Sequence, residues 1–305
     1  MDNPDWSLIR SFLATARRGS LSAAAQELGL SQPSLGRHIS QLEAQLGAAL
    51  FQRHATGQRI TELGKSLLPM AEAMELAAKA IALTAASTEE TLQGTVRITA
   101  SRIVAHFYLP RLIADLLVKE PLLQIEVVAT DQSDNLLFHE ADIALRMYRP
   151  TQPDIVTRHV TDYAMSLYAS TDFLHRHGEP QTQAALLALP FVGFDRSDLI
   201  LRLMAQFGIE RRREDFPIRC DDQLVHWNLV RAGAGIGAIH CRIGDKDPRV
   251  QRIAPFLHLP ALPLWIATAE QLSQNRRIRR VWDHLVSGLS QQENPNSLDH
   301  ATELG

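Results

Sequence analysis

The sequence predicts a multidomain α/β fold in which a small helical region and one long helix precede a larger α/β region. Three observations predict it. The N-terminal part has helical periodicity, residues 62–87 are rich in helix-forming residues, and strand and helix patterns alternate from Gly94 onward. With 305 residues, 45% of them hydrophobic, the chain is long enough for two or three domains with a large core.

The composition argues against several classes of protein. The first residues, MDNPDW, are acidic and contain no apolar segment, and no apolar run approaches the ~20 residues of a membrane helix. We therefore expect a cytoplasmic protein with no membrane partner. Cys220 and Cys241 fit a reducing compartment, as two small buried residues rather than a redox pair. The net charge of −3 gives nucleic-acid binding little support, so motifs must carry such a function.

The first helix is expected from about Ser7 to Arg18, and the stretch Ser20–Gln45 then has the pattern of two short helices around a tight turn. Gly29 lies where the chain must turn sharply, which glycine does without a Cβ penalty. Ser31 is suited to cap the second helix, and Pro33 falls in its first turn. This is the sequence pattern of a helix-turn-helix.

The second helix of this motif divides into two faces by spacing. The apolar stripe consists of Leu35, Ile39, Leu42 and Leu46. The opposite face carries Ser34, Arg37, His38 and Gln41. These side chains have the donors and acceptors needed to read base edges in a groove, and Arg37 is the strongest candidate because arginine forms a bidentate fork with guanine.

A short hairpin is predicted next, with extended residues 51–53 and 59–61 around a turn that contains Gly57. A wing of this kind lies along the phosphates or in the minor groove, a role that suits Arg53 and Arg59. The alternative is a solvated loop with two ordinary surface arginines.

A long helix is predicted from Glu62 to about Ser87, and Pro69 should kink it. Its apolar residues have heptad-like spacing: Leu63, Leu67, Met70, Met74, Ala77 and Ile81. Since a lone helix is marginal in water, this seam needs a partner, and a second copy of the chain is the simplest one. The alternative is an amphipathic helix packed on its own domain.

The alternation after Gly94 predicts a parallel α/β domain, or two of them sharing a cleft. The predicted strands are Val96–Ile98, Ile125–Val128, Asp142–Arg146, Ile155–Val160, Phe191–Phe194, Ile218–Cys220, Ile236–Ile239 and Leu264–Thr268. The predicted helices are one ending near Lys119, Leu199–Phe207, Asp222–Ala232 and Asn275–Leu289.

Polar residues follow several of these strands, where α/β folds bind ligands. The candidate ligand-binding residues are Ser101, Arg102, Thr130, Asp131, Arg146, Arg196 and Asp222. Ser101 and Arg102 open a helix whose N–H groups would favour an anion. As a set, these residues predict a polar cleft for a small organic anion; the alternative at each position is an exposed polar loop residue.

The remaining motifs do not indicate a nucleotide, metal or catalytic site. The glycines of residues 233–237 follow a helix and precede a strand, the reverse of a dinucleotide-binding loop, so they predict a helix-to-strand turn. His175 and His177 have no third metal ligand nearby, so they fit a loop after a helix better than a metal site. The sequence contains no nucleophile elbow and no Walker loop, and we expect no catalytic residues, metal or cofactor.

The segment Leu8–Leu68 resembles the winged helix-turn-helix of LysR-type transcriptional regulators. The resemblance is carried by Ala24-Ala25, Leu30-Ser31-Gln32-Pro33-Ser34, Arg37-His38-Ile39, Leu42-Glu43, Leu46-Gly47, Leu50-Phe51, Arg53 and Thr61-Glu62-Leu63-Gly64. From Gly94 the chain resembles the effector domain of that family, which is similar to periplasmic solute-binding proteins. Here the matching residues are Leu109-Pro110, Ala141-Asp142-Ile143-Ala144-Leu145-Arg146 and Ala232-Gly233-Ala234-Gly235-Ile236-Gly237.

The resemblance implies a regulator that binds double-stranded promoter DNA under the control of a small-molecule effector. It adds Gln32 and Pro33 to the DNA-contacting residues and implies a homodimer or homotetramer, with RNA polymerase as a further candidate partner. The implied organisation is a winged helix-turn-helix at 1–61, a linker and dimerisation helix at 62–90 and a two-subdomain, periplasmic-binding-protein-like effector domain at 91–290. Subdomain I spans about 91–161 and 266–290, subdomain II about 162–265, and 291–305 form a disordered tail.

Three positions depart from the family pattern. Gly36 replaces a usual Ser, which removes a DNA contact and costs the helix about 1 kcal/mol. Thr56 replaces a frequent wing Arg, and His240 replaces a frequent Pro.

Two rival classes remain. One is an α/β enzyme or solute-binding protein with an incidental helical N-terminus, which would lack sequence-specific DNA affinity. The other is an architectural DNA-binding protein that responds to no small molecule.

Overall fold

The computed structural model describes residues 4–54, 57–86, 92–131, 141–152 and 154–291. The chain forms two compact units, Met1–Glu90 and Thr91–Gly305. Thr56 and the predicted disordered tail beyond residue 291 lie outside the described residues. Among the helices of the described ranges, none is long and apolar enough to cross a membrane.

The N-terminal unit contains the predicted helix-turn-helix and wing. Its elements are α1 (Trp6–Arg18), α2 (Leu21–Leu28), α3 (Gln32–Leu46), β1 (Phe51–His54), β2 (Gly57–Ile60) and α4 (Glu62–Ala86). Strands β1 and β2 pair antiparallel. Phe12, Leu42 and Leu50 are fully buried between these elements, because the apolar stripes of α1 and α3 face each other.

Local sequence accounts for the geometry of the motif. Gly29 ends α2 with φ 65°, the left-handed conformation expected of it. The Ser31 hydroxyl accepts a hydrogen bond from the Ser34 amide at 3.2 Å and caps α3. The Glu43 carboxylate accepts the Leu50 amide at 2.7 Å, which holds the start of the wing against α3.

Helix α4 divides its apolar residues between two surfaces. Leu67, Leu68 and Ala71 pack against the core of the N-terminal unit, so Leu67 matches the alternative of packing on its own domain. The other predicted seam residues are exposed, with Leu63 at 39%, Met70 at 66%, Met74 at 42% and Ile81 at 72%, together with Ala77. Pro69 lies inside the helix.

The C-terminal unit alternates strands and helices, as predicted. Its elements are β3 (Gly94–Ala100), α5 (Arg102–Phe107), α6 (Leu109–Lys119), β4 (Leu123–Ala129), β5 (Ile143–Arg146), β6 (Ile155–Tyr163), β7 (Met165–Ser170), α7 (Thr171–His177), α8 (Gln183–Leu187), β8 (Val192–Gly193), α9 (Leu199–Gln206), β9 (Ile218–Arg219), α10 (Gln223–Arg231), β10 (Gly237–His240), α11 (Cys241–Gly244), β11 (Val250–Ile253), β12 (Leu262–Ala269) and α12 (Arg276–Gln291).

The larger sheet has the order β4-β3-β5-β12-β6 and is mixed, so the prediction of a wholly parallel sheet is wrong. Strand β3 is parallel to β4 and β5, whereas β12 is antiparallel to both β5 and β6. The reason is connectivity. The chain leaves this sheet along β6, builds the second subdomain, and returns along β12 in the opposite direction.

The second subdomain contains strands that the sequence patterns did not indicate. Strand β7 pairs antiparallel with β10 and β11, neither β7 nor β11 having been predicted. Strands β8 and β9 form a short parallel pair. Gly233, with φ 77°, begins the predicted helix-to-strand turn before β10. His175 and His177 lie in the last turn of α7 rather than in a loop, because the helix ends only at Gly178.

Candidate DNA-binding face and ligand cleft

The outer face of α3 carries polar side chains over a buried apolar face. Leu35, Ile39 and Leu42 are buried beneath it. The predicted contact residues Gln32, Pro33, Arg37 and Gln41 are exposed, and Ser34 and His38 are half-buried. Within the described ranges the Arg37 guanidinium makes no hydrogen bond or ion pair. It is therefore available to an external acceptor.

Neighbouring helices hold two side chains of this face. His38 Nδ1 lies 2.8 Å from the hydroxyl of Ser11 on α1. The Ser22 hydroxyl on α2 donates to Gln32 Oε1 at 3.2 Å. These contacts restrict the orientations of the His38 imidazole and the Gln32 side-chain amide, both of which matter for recognition.

The wing places its two predicted arginines on adjacent strands. Arg53 pairs in register with Gln58, and Arg59 with Gln52. The Arg59 residue is exposed. The Gln58 amide donates to the Gly19 carbonyl at 2.9 Å, which fixes the hairpin against the end of α1.

The predicted ligand residues gather at the carboxyl ends of the parallel strands β3, β4 and β5. The Ser101 amide donates to Leu145 O at 3.3 Å, and the Thr130 amide donates to Ala100 O at 2.9 Å. Ser101, Thr130 and Arg146 thus lie at one edge of the sheet, as expected for strand ends of the same direction.

Arg102 connects this edge to the second subdomain. Its amide donates to Asp131 Oδ1 at 3.0 Å, and its guanidinium forms an ion pair with Asp222. Asp222 also caps α10, accepting the amides of Leu224 at 2.9 Å and Val225 at 3.1 Å. Desolvation raises the pKa of the Asp131 carboxyl, although 35% of the side chain is exposed, and the Arg102 amide opposes this shift.

Arg146 and Ser101 present buried polar atoms without partners. Arg146 is only 3% exposed, and its guanidinium donates to Leu145 O and to Thr99 Oγ1, each at 3.0 Å. Burial lowers the pKa of Arg146, while a hydrogen bond with Tyr148 raises it. Arg146 Nε and Ser101 Oγ make no hydrogen bond within the described part of the chain. Such buried groups lack the acceptor that a ligand would supply.

The structure does not bring Arg196 into this cluster. Arg196 is exposed, and its amide donates to Asp221 Oδ2 at 3.0 Å. Among the described residues, no hydrogen bond or ion pair joins Arg196 to the other six candidates; its partner Asp221 is the sequence neighbour of Asp222. Sequence reasoning missed Thr99, which the alternating pattern of β3 could have placed at the cleft, and Tyr148, two residues beyond Arg146.

An aromatic stack lies where the two subdomains are connected. The Tyr163 ring stacks on His240 at 4.6 Å and on Tyr108 at 4.8 Å between centroids. The Tyr108 hydroxyl lies 2.9 Å from His240 Nδ1. Burial lowers the pKa of His240 to about 4 and raises that of Tyr108, so both the imidazole and the phenol are neutral. The predicted departure at His240 therefore contributes a hydrogen bond at the crossover strands.

The two cysteines do not form a pair, and the described residues show no metal-binding cluster. Cys220 and Cys241 are unbonded to each other and half-buried, more exposed than expected. In the described ranges, no group of three or more His, Cys, Asp or Glu side chains could hold a metal ion.

Two family models match the chain. "Bacterial regulatory helix-turn-helix protein, lysR family" matches residues 6–65, and "LysR substrate binding domain" matches residues 89–290. The Mau operon transcriptional activator of Paracoccus denitrificans is 33% identical over 163 residues, 53% of this chain and 57% of that protein. The regulator CrgA of Neisseria meningitidis is 27% identical over 252 residues, 81% of this chain and 83% of CrgA.

A similar fold occurs in the crystal structure of full-length CbnR complexed with its target DNA. The TM-score is 0.60 at 22% identity, and the match covers 93% of this chain and 99% of CbnR. At this identity the match establishes a common fold.

Proposed function

The chain belongs to the LysR family of bacterial transcriptional regulators and is therefore a regulator rather than an enzyme, and we propose that α3 reads its operator. The readers in the major groove are Gln32, Ser34, Arg37, His38 and Gln41, with Pro33 at the entry of the helix. The observation that carries this assignment is the exposed, unpaired guanidinium of Arg37 above a fully buried apolar face.

The wing supplies contacts of a different kind. Arg53 and Arg59 lie on a two-stranded hairpin, and we assign them to phosphates rather than to base edges. Phosphate contacts strengthen binding to all sequences and make it sensitive to salt.

The test compares operator and random DNA. Operator fragments selected from the source genome would first define the target. Arg37→Ala should cost about 1–3 kcal/mol of discrimination between the two DNAs. Arg53→Ala should weaken binding to both DNAs and reduce the salt slope by about 1. Arg111→Ala, an exposed arginine of the C-terminal unit, is the charge-matched control. An unchanged specificity ratio in Arg37→Ala would refute the assignment of α3.

Helix α4 pairs subunits through its exposed apolar residues. Leu63, Met70, Met74, Ala77 and Ile81 form the contact, whereas Leu67 contributes to the unit's own core. We expect Met70→Glu to dissociate the dimer in sedimentation, since it would bury a carboxylate in an apolar seam. Glu72→Gln on the same helix is the control. A dimer or tetramer that is unchanged by Met70→Glu would argue against this seam.

The effector of this regulator is a small organic anion bound at the strand ends. Arg146 Nε and Ser101 Oγ are buried donors without acceptors, and a carboxylate oxygen would satisfy both. Arg102, Thr130, Asp131 and Asp222 form the surrounding wall, while Arg196 is left at the rim. Binding would change how the paired DNA-binding units are spaced on promoter DNA in the cytoplasm, where RNA polymerase is available.

A thermal-shift screen with a panel of small carboxylates tests this site. A ligand at a hundred times its dissociation constant should stabilise the protein by about 2.7 kcal/mol. Arg146→Met should remove the shift and keep DNA binding, whereas Arg249→Met, on an exposed turn, should keep both. If no carboxylate shifts the wild type and DNA binding is intact, the architectural DNA-binding class is favoured.

A further inference from the structure

The Ser11 hydroxyl lies within hydrogen-bond distance of two groups. Ser11 is 1% exposed on α1, and its Oγ lies 2.9 Å from the Ser7 carbonyl oxygen and 2.8 Å from His38 Nδ1. A hydroxyl has one proton to donate and lone pairs that accept. A carbonyl oxygen can only accept, so the 2.9 Å approach of the two oxygens is a hydrogen bond when the Ser11 hydroxyl donates to Ser7 O.

The imidazole must therefore be the donor in the second contact. If Ser11 donates to Ser7, its lone pair faces His38 Nδ1 at hydrogen-bond distance, and that nitrogen must carry a proton. A bare Nδ1 would either face a lone pair of Ser11 or take the hydroxyl proton, and the latter would leave Ser11 Oγ and Ser7 O 2.9 Å apart with no proton between them. Only a protonated Nδ1 makes both contacts hydrogen bonds.

The other nitrogen of the ring is left as an acceptor. His38 is half-buried on α3, and its Nε2 makes no hydrogen bond with the residues that the structure describes. In the neutral ring, a proton on Nδ1 leaves a lone pair on Nε2. We propose that Ser11 is a positioning residue that fixes the Nδ1-protonated tautomer of His38, so that His38 reads an amino group of adenine or cytosine.

The major groove makes this choice informative. Adenine N6 and cytosine N4 present donors, whereas guanine and thymine present acceptors at the corresponding edge. A histidine that could take either tautomer would accept both classes. The contact with Ser11 removes that ambiguity before DNA binds, and it does so from a residue that never touches the DNA.

Only the second part of this inference, the reading of a base by His38, rests on the proposed function of α3. The tautomer itself is a property of the free protein. It can be measured by ¹⁵N NMR of histidine-labelled full-length protein at a pH of about 8.5, where an ordinary histidine is neutral. The His38 signals, identified by their loss in His38→Phe, should show a protonated Nδ1 and a bare Nε2.

Ser11→Ala should change the tautomer without changing the fold. The change removes only an oxygen, and the Ser7 carbonyl retains its place in the helix. We expect the two His38 nitrogens to become more alike in the spectrum. Ser7→Ala is the matched control, because the Ser7 hydroxyl bonds to Asp5 rather than to His38.

The reading step is tested by selection from a randomised double-stranded DNA library. The wild type should prefer adenine or cytosine by about fivefold at one operator position, the worth of one net hydrogen bond. His38→Phe and Ser11→Ala should both lose that preference at the same position. The double variant should lose no more than His38→Phe alone.

The outcomes distinguish the effect of Ser11 on the His38 tautomer from the reading of a base by His38. A wild-type ring protonated on Nε2 refutes the role of Ser11, whatever the DNA selection shows. A protonated Nδ1 with a preference for guanine or thymine at the His38 position refutes the reading. If neither Arg37→Ala nor His38→Phe alters the selected sequence, the proposed function of α3 fails together with the reading.

Discussion

The two units of this protein treat their polar side chains in opposite ways. On α3 of the N-terminal unit, Arg37 and Gln41 project outward, and Arg37 has no partner among the described residues. In the cleft of the C-terminal unit, Arg102 already bonds to Asp131 and Asp222. Under the proposed function, the first surface obtains its counter-charges from DNA, whereas Arg102 in the second has them within the protein. Substitutions on the first should therefore change binding, and substitutions of the internally paired residues in the second should change stability.

The largest effect that tests this contrast is the acid sensitivity of His240. The folded-state pKa is about 4 and the ordinary value is 6.5, so the unfolded chain takes up a proton that the folded chain excludes. Above pH 6.5 the ring is neutral in both states and contributes nothing. As the pH falls from 6.5 to 4, we expect the C-terminal unit to lose about 3 kcal/mol of stability through this residue.

The variant His240→Phe should lose that part of the pH dependence in urea unfolding. At pH 7 it leaves the Tyr108 hydroxyl buried without its hydrogen-bond partner, at a cost of about 1–3 kcal/mol. The pair Tyr108→Phe with His240→Phe should restore most of that loss. His175→Phe, at an exposed position of α7, should retain the wild-type slope. An unchanged slope in His240→Phe would mean that the stack does not exclude the proton.

The second effect concerns Asp222, which both caps α10 and pairs with Arg102. Asp222→Ala should destabilise the C-terminal unit by about 1–2 kcal/mol, chiefly through the lost cap. Asp222→Ser keeps a capping oxygen and should cost less than 1 kcal/mol, because the ion pair is partly exposed. Thermal unfolding of both variants, with and without Arg102→Ala, separates the two contributions. Equal losses in the Ala and Ser variants would assign the effect to charge instead.

The sequence predicted the N-terminal unit better than the C-terminal unit for a physical reason. The cap at Ser31 and the turn at Gly29 are local, and their neighbours in sequence determine them. The direction of β12 depends on where the chain re-enters the sheet, which no periodicity records.

The same distinction applies to the candidate ligand site. Ser101 and Arg146 could be placed because strand ends of one direction meet at one edge. The pairing of Arg102 with Asp222 joins residues 120 positions apart. Arg196 and Asp222 both follow strands of the β8-β9 pair, yet only Asp222 bonds to Arg102, which strand order alone does not predict. Such relations require the topology itself.

The third effect tests whether α3 is limited by its own stability. Gly36 is helical, and a Cβ added there meets nothing within 4 Å. Gly36→Ala should therefore stabilise the N-terminal unit by about 1 kcal/mol and leave the DNA specificity ratio unchanged. Gly64→Ala is the contrasting control, since its Cβ would lie 2.7 Å from the Leu50 carbonyl oxygen and must destabilise. A destabilised Gly36→Ala would show that the glycine is required for a close approach.

The smallest effect comes from an ion pair within the N-terminal unit. The Arg17 guanidinium contacts the Glu75 carboxylate at 3.3 and 2.5 Å and joins α1 to α4, with the side chains 21% and 28% exposed. A double-mutant cycle with Arg17→Ala and Glu75→Ala should give a coupling of about 0.5–1 kcal/mol, reduced by salt. The more exposed pair Arg18–Glu27 should give less. Because this pair is satisfied internally, Arg17→Ala should leave discrimination between operator and random DNA intact, unlike Arg37→Ala. If Arg17→Ala lowers discrimination as strongly, the separation between outward-facing and self-paired charges fails within the N-terminal unit itself.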